Sequence, residues 1–292
     1  MTVRLLPVLG LFVVCFASVH DVLARPWNVV AKRHFQLAEV TEVASTAEPS
    51  SSACPEGMVE VSGKMKMPRA DARSWLTQSV EELQKTTCTE WINRDFPERC
   101  AVFDRDAWIK LSADLPTKQM HFCIDKYEFP NVAGQNPVVF VNWYDANSMS
   151  AAVDKRLCTE DEWTFACEGE EALPYPYGYV RDAAACNIDK TWIHFDEKKL
   201  YPIGKDTVPE LDRLWQGVPS GTMSRCVSSF GVYDLTGNVD ELTTSTRSSG
   251  NRSILKGGYW CAVRDRCRPS TRVHNENHML YQEGFRSCRD PL

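Results

Sequence analysis

The stretch Arg156-Leu157-Cys158-Thr159-Glu160-Asp161-Glu162-Trp163 is where this 292-residue chain shows its regular structure most openly. Thr159 followed three residues later by Glu162 is a capping box. The hydroxyl can accept from the backbone N–H of Glu162, while the Glu162 carboxylate accepts from the backbone N–H of Thr159. The pair starts a helix through Trp163 and Phe165, and Gly169 stops it. No comparable run comes after it. Pro174, Pro176, Gly178, Gly204, Pro209, Gly217, Pro219, Gly221, Gly231 and Gly237 interrupt the chain every few residues, which predicts short strands and turns.

Upstream, residues 144–153 have helical composition, with Asn142 as an N-cap and an apolar run at 137–141 leading into it. Residues 121–127 read as a strand with Phe122, Ile124 and Tyr127 as its hydrophobic positions, and residues 58–61 alternate like a short strand. Between them, residues 68–120 are polar and irregular, an inserted subdomain or long loop stapled by Cys88 and Cys100. Dense Trp and Tyr throughout favour one continuous core over residues 54–292. An α+β domain with few helices and many short strands must hold its shape by crosslinks and bound ions as well as by strand ladders.

The start of the chain carries Arg4, an apolar run at 5–17 and then Val22-Leu23-Ala24, the layout of a secretory signal cleaved after Ala24. The run falls short of the roughly 20 apolar residues that span a bilayer, so the expected product is exported, periplasmic or secreted, with no membrane span. Residues 25–53 shift to Ser, Thr, Glu, Ala and Val and read as a flexible linker. The net charge of −6 and the lack of a basic cluster argue against nucleic acid and anionic membranes. Of twelve cysteines, Cys15 leaves with the signal. An exported chain pairs its cysteines by default, and the odd number left implies at least one free or intermolecular thiol.

Several strings, in this order, resemble the formylglycine-generating enzyme (sulfatase-modifying factor) family. They are Phe122-Cys-Ile-Asp-Lys-Tyr-Glu128, residues 137–146 with Asn142-Trp143, the capping-box stretch 156–163, Gly231-Val-Tyr-Asp-Leu-Thr-Gly-Asn-Val-Asp-Glu241, Lys256-Gly-Gly-Tyr-Trp260, Cys267-Arg268 and Gly284-Phe-Arg286. Together they cover nearly all of residues 54–292. The resemblance implies the family's α+β fold, related to C-type lectins, disulfide-rich and with little regular structure. It also implies a Cys167–Cys267 bridge. The family's second bridge falls on Ser150 and Ser287, and the neighbouring Cys158 and Cys288 are expected to replace it. Cys54–Cys123 and Cys186–Cys226 are the pairings expected of the remaining cysteines, although sequence alone does not fix connectivity, and if they hold Cys261 is the odd thiol.

The implied reaction is a copper- and oxygen-dependent oxidation of a cysteine, or another side chain, in an exported peptide or protein, such as a sulfatase. Cu(I) prefers soft thiolates. The family's two active cysteines lie between the Gly-Gly segment and the structural cysteine. Here that interval, 257–267, is shorter and holds only Cys261, the candidate catalytic residue and copper ligand. An ungapped reading pairs Cys261 with Cys267 instead and leaves Cys167 unbridged. Arg264 and Arg266 would lower the Cys261 pKa if they point inward.

The family's calcium loop falls on Asp234, Gly237, Val239 and Glu241, hard oxygen donors of the kind calcium takes. A second calcium site would begin at Asn187 and Ile188, with Asp212 as a downstream carboxylate. Where family members have Trp-Glu-Trp, this chain has Asp240-Glu241-Leu242. Arg286 is expected to bond buried carbonyls or a carboxylate, and His274 and His278 to lie in a polar loop. The alternative to an oxidase is a non-catalytic, calcium-stabilised module that holds a peptide or glycan. A third reading is an oxidase of a small metabolite with another residue set. The chain has no His-Glu-x-x-His, P-loop, Cys-x-x-Cys or Gly-x-Ser-x-Gly motif.

Overall fold

The computed structural model describes residues 53–69, 79–248 and 250–292; the signal peptide expected at 1–24 and nearly all of the linker at 25–53 lie outside them. Strand β1 (Met58–Lys66) pairs antiparallel with a later strand, β4 (Thr117–Asp125), along all nine of its residues. The alternation legible at 58–61 therefore extends further. Val61 and Met65 share a face and are buried, while Ser62 and Lys64 between them are exposed.

Residues 79–116 are not irregular. They form helix α1 (Val80–Lys85), a ribbon of β2 (Cys88–Asn93) and β3 (Arg99–Phe103), and helix α2 (Arg105–Ser112). Their apolar signal is thin because α2 buries little more than Trp108, whose indole donates to the Glu171 carbonyl at 2.9 Å. Asp104 caps α2 by accepting from Ala107 N–H at 3.0 Å.

Helix α3 (Trp143–Ala152) begins at Asn142 with its own capping box to Asp145. The apolar run before it is buried but forms no strand: Val138 N–H donates to Phe129 O and Phe140 N–H to Glu283 O. After β5 (Arg156–Leu157), helix α4 (Glu160–Glu168) forms where its capping box places it. Thr159 N–H donates to Glu162 Oε2 at 2.8 Å, Glu162 N–H to Thr159 Oγ1 at 3.3 Å, and Gly169 ends the helix at φ +65°. Two short helices come next, α5 (Glu197–Leu200) and α6 (Thr207–Leu214). Pro209, a turn marker in the sequence, sits in the first turn of α6, where its missing N–H leaves no intrahelical bond unmade.

The remaining strands are β6 (Asp240–Thr244), β7 (Ser253–Lys256), β8 (Ser270–Thr271), β9 (Glu283–Phe285) and β10 (Ser287–Arg289). One sheet has the order β1-β4-β10-β5 and the other β8-β7-β6-β9, with β6 and β9 parallel. The first core lies between the first sheet and α4, around Val61, Phe122, Ile124, Trp163 and Phe165. A second packs α3 on the other sheet through Trp143, Met149, Leu242 and Phe285. A third joins α5 and α6 to Trp260, Cys261 and Tyr281.

Disulfides join Cys54 to Cys123, Cys88 to Cys100, Cys158 to Cys288, Cys167 to Cys267 and Cys186 to Cys226. Among the described residues Cys261 is the free cysteine. The Ser150 and Ser287 hydroxyls meet at 3.0 Å in the interior. No helix of the described residues is long and apolar enough to cross a membrane. The architecture is α+β, rich in short strands and held by disulfides.

Candidate functional site

Two clusters gather the residues singled out in the sequence. The first is a buried carboxylate group built on the turn before β6. Trp163 of α4 donates to Glu241 Oε2 at 2.8 Å, so the capping-box helix fixes this acid. Arg286, between β9 and β10, donates from Nε to Glu241 Oε2 at 2.7 Å and from Nη2 to Oε1 at 2.6 Å. The guanidinium also donates to the carbonyls of Asp125 and Tyr233, so it bonds both carbonyls and a carboxylate. Asp234 accepts from Gly221 N–H at 2.6 Å. Glu128, just beyond β4, accepts from both Ser220 Oγ at 2.5 Å and Asn238 Nδ2 at 2.9 Å.

The turn itself runs left-handed at Asp234, Gly237 and Asn238. A Cβ at Gly237 would lie 2.4 Å from the Asn187 carbonyl oxygen, so only glycine fits. This close approach brings the two expected calcium segments together. Asn238 N–H donates to Asn187 O at 3.0 Å, Asn187 Nδ2 donates to Asn238 Oδ1 at 3.0 Å, and Ile188 packs against Gly237.

Burial first, then the fields of Asp234 and Glu241, pushes the Glu128 pKa well above the carboxylate range. Burial also lifts Asp234 to about 6, with Arg286 and the Gly221 N–H opposing it. Glu128, Asp234 and Glu241 thus face one guanidinium at 1% exposure or less, an excess of buried negative charge that protons or a hard cation would relieve. The oxygen donors suit calcium. Glu241, however, already takes three N–H donors from Arg286 and Trp163, and would enter a calcium shell only if one gave way. Among the described residues no group of three His, Cys, Asp or Glu side chains is disposed to hold a metal. The sequence reading missed Glu128 as a member of this cluster, although it closes the Phe122–Glu128 string; nothing local marks it as buried.

The second cluster surrounds Cys261. Lys190 N–H donates to Trp260 O at 2.8 Å, and residues 190 and 261 form an isolated parallel bridge. The thiol side chain is 2% exposed. Burial pushes it up to about 11, against a hydrogen bond from the Tyr259 phenol and the charge of Lys190. The Tyr259 ring meets Tyr281 edge to face at 6.4 Å, and the half-exposed Trp192 stands edge-on to His194 at 5.4 Å. Arg264 and Arg266 do not depress the thiol. Arg264 is bound to Asp240 at 2.5 Å, while Arg266 pairs with Glu81 and lies over the Phe103 ring. Cys267 is bonded to Cys167 and cannot supply a second thiolate, which removes the ungapped pairing. The β2–β3 ribbon borders this face through Arg99, 3.5 Å from Asp189. His274 and His278 lie ring to ring, but they serve the framework: His274 meets Ser253 Oγ at 3.1 Å and His278 pairs with Glu283 at 2.8 Å.

The chain is similar to the inactive C-alpha-formylglycine-generating enzyme 2 of Bos taurus, 29% identical over 160 residues that cover 48% of this chain and 45% of that protein. It is also similar to the formylglycine-generating enzyme of Thermomonospora curvata, 27% identical over 187 residues, 54% of this chain and 56% of the other. The chain thus spans about half the length of these relatives. Among solved structures it is similar to PvdO from Pseudomonas aeruginosa, with 17% identity, 82% of this chain and 95% of that one covered, and a TM-score of 0.48. Residues 72–291, most of the chain, match the sulfatase-modifying factor enzyme 1-like domain, and the chain therefore belongs to that formylglycine-generating-enzyme-like family.

Proposed function

We propose that this protein is a non-oxidising, calcium-stabilised binding module for an exported peptide or glycan, built on the family scaffold. The observation that carries the reading is Cys261. Two-thiolate Cu(I) chemistry needs a second soft ligand. The ten other described cysteines are all committed to disulfides. The one that is free is buried, with a thiol pushed up to about 11 and therefore protonated at neutral pH. These residues do not fit the copper site that the resemblance implies. A relative named as inactive is compatible with a scaffold retained for binding. The half-exposed Trp192, two residues beyond the Lys190 that bridges Cys261, is the aromatic surface on which we place the ligand.

The test is a Cu(I) titration of the purified protein against a competing chelator, with Cys261→Ser beside the wild type. We expect no stoichiometric copper complex in either protein. A tight one-to-one complex that disappears in Cys261→Ser would overturn this reading and support the copper-dependent oxidase instead.

A further inference from the structure

A cavity of about 470 Å3 opens beside α1, between the end of β1 and the strands β7 and β8. It borders the first core and α1, away from Cys261 in the third, so its occupancy does not depend on the function proposed for the Cys261 face. Lys256 on β7 lines it and is 1% exposed. Its ammonium donates to the Arg268 carbonyl at 2.7 Å and to Ser270 Oγ at 3.3 Å, and lies 5.3 Å from the centre of the Trp163 ring.

The carboxylates nearby are already engaged. Arg268 holds both oxygens of Glu168, Arg272 and Thr246 hold Glu160, and Lys118 holds Asp161 at 2.8 Å. Among the described residues Lys256 forms no ion pair, and Nη1 of Arg272 is buried without a hydrogen-bond acceptor. A buried ammonium held only by neutral acceptors retains much of its desolvation cost. Arg247 adds an exposed guanidinium to the cavity lining, and Met65 and Val80 supply an apolar wall.

We propose that this cavity is a binding site for a small organic monocarboxylate with a short apolar body. The carboxylate would be taken by Lys256 and the rim arginines, and the body would lie against Met65 and Val80. Its volume suits a small molecule rather than a polymer segment. The rim acids Glu81, Glu82, Glu160 and Asp161 are each paired with a cation of their own, which leaves Lys256 as the buried unpaired ammonium among the described lining residues, the counterpart of a single negative charge.

Hexanoate is the probe at pH 6, where the Lys256 ammonium keeps its proton and the acid is ionised, with hexanol as its uncharged counterpart, followed by calorimetry and by tryptophan emission, because Lys256 lies over Trp163. Hexanoate should bind saturably and change the emission, whereas hexanol should not. Lys256→Met should weaken hexanoate by about ten-fold or more, the loss expected for a charged hydrogen bond. Arg247→Ala, at an exposed position that folding tolerates, should weaken it about three-fold. Absence of saturable hexanoate binding in the wild type, equal binding of hexanol, or affinity unchanged in both variants would overturn the proposal.

Discussion

Lys256 has its titration set almost wholly by its surroundings. Burial brings the ammonium from its usual 10.5 down to about 7, against the fields of Glu160 and Glu81. Between those two values the unfolded chain holds a proton that the folded chain has released, so stability rises with pH through the window. The Cys261 thiol, at 9.0 in the unfolded chain and about 11 in the fold, opposes this rise only above about pH 9. Denaturant unfolding from pH 7 to 9 should therefore show stability rising in the wild type, and a flatter profile in Lys256→Met. An unchanged slope in the variant would mean that Lys256 keeps its ordinary pKa. At the same scale Cys261, 2% exposed, should be inert to a thiol reagent in the native protein and react once on unfolding. Rapid labelling of the native protein that Cys261→Ser abolishes would contradict its burial.

At the scale of elements, α3 and β10 meet through the Ser150 and Ser287 hydroxyls, 3.0 Å apart, beside the Cys158–Cys288 bridge. The double variant Ser150→Cys with Ser287→Cys should form a sixth disulfide. Because the existing bridge already ties β10 to the chain before α4, the new one closes only a short loop, and the gain should be at most about 2–3 kcal/mol. Mass spectrometry of the alkylated protein checks the bond, and thermal unfolding checks the gain. The turn from Asp234 to Glu241 makes a second prediction, resting on the calcium we propose there. Chelation should lower the melting temperature, and calcium should restore it. Asp234, lifted to about 6, costs the fold stability as pH rises from about 3.8 through 6. Asp234→Asn should therefore stabilise the chelated protein at pH 7 and blunt its response to calcium. A melting temperature indifferent to chelator, with Asp234→Asn merely destabilising, would remove calcium from the turn.

On the scale of the whole molecule, disulfides bind together what the short ladders cannot. Cys158–Cys288 and Cys167–Cys267 both fall inside the first core and link the middle of the chain to its last strands, across sequence separations of 130 and 100. Long-range closures of this kind constrain the unfolded chain strongly.

What could be read from the amino acids alone was local or cumulative. The capping boxes at Thr159–Glu162 and Asn142 act over three residues, so the starts of α3 and α4 were legible without the rest of the chain. The ordered strings identified the family, and the resemblance already set Cys261 apart from the paired cysteines. Elements whose burial comes from distant partners were not legible. The polar length of β1 exists because β4 lies beside it, and α2 exists around one tryptophan seated on Glu171. Only the tertiary structure set Glu128 among Asp234, Glu241 and Arg286, turned Arg264 away from Cys261 toward Asp240, and enclosed Lys256. The physical reason is common to all three: charge state and reactivity depend on which groups share a desolvated volume, and residues a hundred positions apart supply that volume.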